Sequence, residues 1–290
     1  MKKKIILTVL LLVLPFMITV VHADMGPKPS TEITFKGLGE GTYYVSIFGT
    51  EHRMGPNGPL ISGITSGMTT GPYGDLEGFK KYYSDYPEEI IDQFVEYTNG
   101  KYCFWGNLNK VTTENNKITW SYYAPSDFIV VVITPQGKLI ASEPVQRSVI
   151  AGYYKCTLEG DTLKMQSNYN WGKERLRLLA RVAATIAVEL VIALIFGYRD
   201  KASIATIVKT NIVTQLILNL GVSFMNILFG ILGAYLIMIL MEIIVFIIEG
   251  IHYSRKLPGK KGLAWLYALV ANAASWYIGS QILVIMSAYV

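Results

Sequence analysis

The sequence predicts a multi-domain membrane protein: an exported β-sandwich with a short helical insertion, followed by a four-helix transmembrane bundle. Three observations predict it. The chain is 51% hydrophobic and 16% charged with a mean hydropathy of +0.35, which is too apolar for a soluble protein of 290 residues. Residues 24–172 alternate short runs rich in tyrosine and β-branched residues with turn signals. Residues 173–290 contain four long apolar stretches.

The first element is a secretory signal peptide over residues 1–23. Lys2, Lys3 and Lys4 precede an apolar run at 5–21, and Val21-His22-Ala23 offers a cleavage site. An uncleaved anchor is the rival reading, and both place residue 24 outside the cytoplasm. Formal charge is +3 over 1–23, −4 over 24–172 and +6 over 173–290, so the net +5 belongs to membrane-proximal sequence. A nucleic-acid partner is therefore not expected, because it needs a basic patch that the exported part lacks.

In the extracytoplasmic domain, 24–172, strands are expected at 31–35, 42–48, 101–107, 117–123, 128–133, 139–142, 149–158 and 162–165. Between the second and third lies an insertion that is Gly/Pro-rich over 49–78. It continues into a short helix at 85–95, with Pro87, Glu88 and Glu89 at its start and Asn99-Gly100 as its stop. The only cysteines, Cys103 and Cys156, fall on expected strands of an exported domain, and a disulfide between them is the expectation, with reduced core thiols as the alternative. Without a CxxC, a redox enzyme is not expected.

The same domain offers little chemistry. Gly37-Leu38-Gly39-Glu40-Gly41 lacks the following helix of a phosphate loop and reads as a hairpin turn. His52 is the domain's only histidine, the acidic residues between Asp75 and Asp92 lack EF-hand spacing, and no GxSxG is present, so neither metal nor cofactor is expected. Thirteen of the nineteen tyrosines lie between Tyr43 and Tyr169, with adjacent pairs at Tyr82-Tyr83, Tyr122-Tyr123 and Tyr153-Tyr154. On a strand each pair sends one ring to the core and one to the surface, which suits either plain packing or contact with a small ligand or envelope protein.

Transmembrane helices are expected at 178–198, 203–223, 226–251 and 262–289 within the domain 173–290, with the second break around 219–226. An exported start sends the first helix inward. The loops 199–202 and 252–261, carrying Arg199, Lys201, Arg255, Lys256, Lys260 and Lys261, then fall in the cytoplasm, and the C-terminus falls outside the cell membrane. Lys173, Arg175, Arg177 and Arg181 run against this rule on the outer flank, where Arg181 is expected to snorkel.

Polar residues inside the spans carry the functional expectation, because a charge at mid-bilayer costs roughly 3 kcal/mol or more and must face protein or water. Glu189, Asn211, Glu242 and Asn272 fall at one level, roughly 12–15 Å from the cytoplasmic helix ends at ~1.5 Å rise per residue. The candidates for an ion or proton site are Glu189, Asn211, Gln215, Glu242, Glu249 and Asn272; Glu189 and Glu242 would hold the ion, and Lys209 could neutralise one carboxylate. Two alternatives remain. The layer could be an interhelical hydrogen-bond lock, or it could do intramembrane catalysis, for which Glu249 and His252 form half of a di-iron motif with no second copy. No GxxxxGK[ST] is present, so an ATPase subunit is excluded. Four helices are few for a carrier, and a homo-oligomer or a transporter partner subunit is expected beside the lipid bilayer.

Asp24-Met25-Gly26-Pro27-Lys28-Pro29-Ser30, Asn211-Ile212-Val213-Thr214-Gln215, the stretch 242–253 and Ala271-Asn272-Ala273-Ala274-Ser275 carry a likeness beyond composition. Over most of its length the chain resembles a group of bacterial multi-pass membrane proteins with an exported N-terminal β domain. The group has no established activity, so the resemblance implies the architecture alone. The functional expectation stays an integral membrane sensor or transport component.

Overall fold

The structure, a computed structural model, describes residues 28–51, 58–62, 67–68, 75–98 and 100–287. The expected signal peptide, His52 and most of the glycine-rich stretch before Asp75 lie outside the described residues. Lys28–Tyr169 forms one compact unit and Asn170–Val290 belongs to a second.

The first unit contains two sheets. One has four strands in the order β12-β11-β1-β7, built from β1 (Ser30–Lys36), β7 (Lys117–Trp120), β11 (Ala151–Glu159) and β12 (Thr162–Ser167). β1 runs parallel to β11 and antiparallel to β7. The other sheet follows β10-β8-β2-β5-β3-β4 through β2 (Tyr43–Gly49), β3 (Ile61–Ser62), β4 (Gly67–Met68), β5 (Cys103–Phe104), β8 (Asp127–Ile133) and β10 (Val145–Gln146). β6 (Asn109–Val111) and β9 (Leu139–Ala141) pair with β2 and β8.

Period-two alternation assigns the faces. β1 buries Thr31, Ile33 and Phe35 and leaves the residues between them partly exposed. β8, Asp-Phe-Ile-Val-Val-Val-Ile, is buried on both faces. Phe128, Val130 and Val132 join Ile33, Phe35, Tyr154 and Cys156 in a core fed by both sheets. Ile129, Val131 and Ile133 instead join a second core with α1 (Leu76–Tyr82) and α2 (Glu88–Glu96), which contribute Phe79, Ile90, Ile91 and Phe94. A continuous β-branched run is what a strand covered on both sides requires.

Three expectations need correction here. β1 and β2 lie in different sheets, so the glycine-rich segment between them is a crossover and not a hairpin. Gly37 turns at φ +73°, and a Cβ there would lie 2.4 Å from the Leu158 carbonyl oxygen. Cys103 and Cys156 carry no disulfide: both are free and buried. They belong to strands of different sheets, Cys103 packing with Trp105 and Cys156 inside the shared core. Of the three tyrosine pairs singled out above, one, Tyr153-Tyr154, lies on a strand; Tyr82-Tyr83 ends α1 and Tyr122-Tyr123 sits in a loop, both residues at positive φ.

Among the described residues of the second unit, three helices are long and apolar enough to cross a membrane: α3 (Trp171–Phe196), α4 (Lys201–Gly230) and α5 (Leu232–Lys256). A further helix, α6 (Lys261–Ser287), follows. Asn170 caps α3 by accepting from Lys173 N, and Asp200 caps α4 by accepting from Ser203 N. α4 and α5 fold back on each other at Gly230, where φ is 68° and ψ −165°, a region open essentially to glycine. The expected break at 219–226 is therefore displaced, because Asn219 stays helical and donates to the Gln215 carbonyl at 2.8 Å. The break expected at 252–261 is also narrower: α5 runs to Lys256 and stops where Leu257 is extended ahead of Pro258.

Candidate functional site

The relocated helix ends move Glu249 inward and set the composition of the buried layer. Glu189 on α3 is fully buried, and its Oε2 accepts from Asn211 Nδ2 of α4 at 2.6 Å. Glu249 on α5 is also fully buried; its two oxygens accept from Thr214 Oγ1 of α4 at 2.7 Å and Asn272 Nδ2 of α6 at 2.8 Å. Ser275 Oγ, which donates to Asn272 O, lies beside the Glu189 carboxylate. Four helices thus meet in one set of polar side chains.

Tyrosines close the layer on the side of the α3–α4 connection, and sequence reasoning missed them. Tyr253 Oη lies 3.0 Å from Asn211 Nδ2, and Tyr267 Oη donates to the Glu189 backbone oxygen at 3.3 Å. Their rings pack together 5.5 Å apart, with Tyr198 edge-on to Tyr267. The available signal was helical spacing: Tyr253 follows Glu249 by four residues, which puts it on the same face.

The orientation of both asparagines is fixed by their surroundings. Asn211 Nδ2 faces the Ile207 carbonyl as well as Glu189, and Asn272 Nδ2 faces the Ala268 carbonyl as well as Glu249. The backbone carbonyls only accept, so a flipped amide would set its oxygen against the Ile207 or Ala268 oxygen. The amide oxygens, Asn211 Oδ1 and Asn272 Oδ1, are left buried without a donor, as is Glu189 Oε1. Leaving such an atom unpaired costs roughly 1–3 kcal/mol each. All three of these atoms in the inner layer are acceptors, and no ion pair among the described residues reaches either carboxylate. Lys209, expected as a possible counter-ion, is exposed on the outside of α4.

The remaining candidates, Gln215 and Glu242, form no hydrogen bond with either carboxylate of the layer among the described residues, although Glu242 is near enough for its charge to act on Glu189. They line a neighbouring cleft with Arg181, Asn219, Ser275 and Trp276, toward the Gly230 turn. Glu242, expected to partner Glu189, is replaced in the hydrogen-bonded layer by Glu249 because α5 extends beyond the expected end. Among the described residues no group of three or more His, Cys, Asp or Glu side chains converges as metal ligands would. Comparison with protein-family models, with curated proteins and with solved structures found no match.

Proposed function

We propose that the chain is an integral membrane sensor or transport component whose helical unit holds a proton or a small cation between Glu189, Asn211, Glu249 and Asn272. One observation carries this reading. Two buried carboxylates sit with three unpaired acceptor oxygens and, among the described residues, no ion-pair partner, and an occupant bearing positive charge is what such a set lacks. An interhelical lock explains why Asn211, Thr214 and Asn272 donate to carboxylates. It leaves Glu189 Oε1, Asn211 Oδ1 and Asn272 Oδ1 without a purpose.

In this reading α6 is the fourth membrane span. The basic connections after α3 and α5 face the cytoplasm by the positive-inside rule, and the Gly230 turn and the β unit, with its two sheets as a sandwich, face outward. The test is flux in proteoliposomes containing a pH- or cation-sensitive dye. Glu189→Gln and Glu249→Gln, with elution profiles matching the unsubstituted protein, are expected to lose proton- or cation-coupled flux. Unchanged flux, or equally absent flux in every protein including the parent, removes the transport reading.

A further inference from the structure

We infer that the occupant of the layer is a proton, and that Glu242 delivers it to Glu189 through one water and the Ser275 hydroxyl. This rests on the reading above and adds the species and the route to it. Arg181, Gln215, Glu242 and Ser275 line one cleft between α3, α4, α5 and α6, whose cavity of about 30 Å³ has room for a water but not for a hydrated metal ion. The lining holds two buried donors without an acceptor, Arg181 Nε and Gln215 Nε2, and one buried acceptor without a donor, Glu242 Oε2. A water answers both kinds, because it accepts from a donor and donates to a carboxylate.

Ser275 joins the cleft to the layer. It lines the cavity, lies beside the Glu189 carboxylate, and donates its hydrogen to the Asn272 carbonyl at 3.1 Å. In the transfer that hydroxyl turns toward Glu189 Oε1, a buried oxygen with no donor. The O–H bond at Glu242 Oε2 breaks as its proton passes to the water, the water passes another to Ser275 Oγ, and Ser275 gives its own to Glu189 Oε1. Glu242 is left as a carboxylate, Glu189 becomes the acid, and the net charge is unchanged. Among the described residues, the charged groups around Glu242 are Arg181 and Glu189 from α3 and Glu249 from its own helix; α4 and α6 bring only uncharged side chains to the cleft. Arg181, held by donating from Nη2 to Ser223 Oγ at 2.9 Å, repels a bare cation and favours the carboxylate that Glu242 becomes. A proton carried as a carboxylic acid passes the guanidinium without net charge. On the side of the α3–α4 connection the layer is covered by Tyr198, Tyr253 and Tyr267, which leaves the cleft as the approach.

The test is a pH jump from a photolysed caged proton on the full-length protein in proteoliposomes, with carbon-13 on its glutamates, followed by time-resolved infrared spectroscopy. The band that Glu189→Gln removes reports protonation of Glu189. Glu242→Gln is expected to slow the rise of that band by about a hundredfold, the low end of what a positioned proton donor contributes, while its final amplitude in acid is retained. Ser275→Ala is expected to slow it by about tenfold, the scale of one hydrogen bond, and it serves where the glutamine variant does not fold. Glu242→Asp keeps the acid and is expected to be faster than Glu242→Gln; equal rates in the two would mark Glu242 as a packing residue and overturn its role. Sodium added at constant pH is expected to leave the band unmoved, and a sodium-dependent band overturns the proton. The parent rate in either Glu242→Gln or Ser275→Ala, with the band present, overturns the relay and leaves the layer standing. Absence of the band in the parent protein removes the layer and the relay with it, so the two failures are distinguishable.

Discussion

Individual side chains decide most of what is chemically distinctive about this chain. Cys156 shows how burial controls reactivity: desolvation in the shared core pushes its thiol up to about 12, so near neutral pH the nucleophilic thiolate is scarce. Alkylation without reductant is expected to spare Cys103 and Cys156 in the folded protein and to label both after denaturation. Labelling only after reduction would mean a disulfide. In the helical unit, Thr214 is the donor to one Glu249 oxygen, and Thr214→Val removes that donor while conserving shape. The substitution is expected to cost about 1–3 kcal/mol, read as a lower unfolding midpoint in mild detergent titrated with denaturant. Glu189, Asn211 and Asn272 were legible in the sequence because polar residues inside apolar spans have few places to go. The choice between Glu242 and Glu249 was not. It depends on where α5 ends, and Pro258, the residue that ends it, was absorbed into a broad expected loop.

Elements were legible in proportion to their length and regularity. The long strands β1, β2, β8, β11 and β12 lie where alternation and β-branched composition put them. Three of the two-residue strands, β3, β4 and β10, are too short to carry a period and were not expected, whereas β5, equally short, lies within the expected run 101–107. α1 was missed because its single buried side chain, Phe79, gives no amphipathic repeat; it is held by the Asp75 cap and by Phe79 packing edge-on to Phe104. Phe104 also stacks on Phe48 and Phe94, so Phe104→Ala is expected to destabilise the β unit by about 3–5 kcal/mol in chemical denaturation. At the α4–α5 turn, Gly230→Ala forces a side chain into φ 68°, ψ −165° and is expected to cost about 1–3 kcal/mol. Gly221→Ala is the control: a Cβ there meets nothing within 4 Å, and the stability is expected to stay within about 0.5 kcal/mol or rise slightly. Equal effects of the two substitutions would show that Gly230 is not the reversal point.

At the scale of the whole molecule, the chain divides into a compact β unit, Lys28–Tyr169, and a helical unit that begins at Asn170. The second core, under α1 and α2, could not be read from strand patterns, because it is made by helices whose sequences lie inside an insertion. The helical unit carries an acceptor-rich buried layer between Glu189 and Glu249, and in the proposed reading a positive charge occupies it. The central claim is that the layer exchanges its occupant. Infrared difference spectroscopy of the reconstituted protein, with carbon-13 on its glutamates, tests it most directly as pH or sodium is stepped. The account predicts a carboxyl difference signal that shifts with the isotope and disappears in Glu189→Gln; an isotope-sensitive spectrum identical in that variant, or no carboxyl signal in the parent protein, contradicts it.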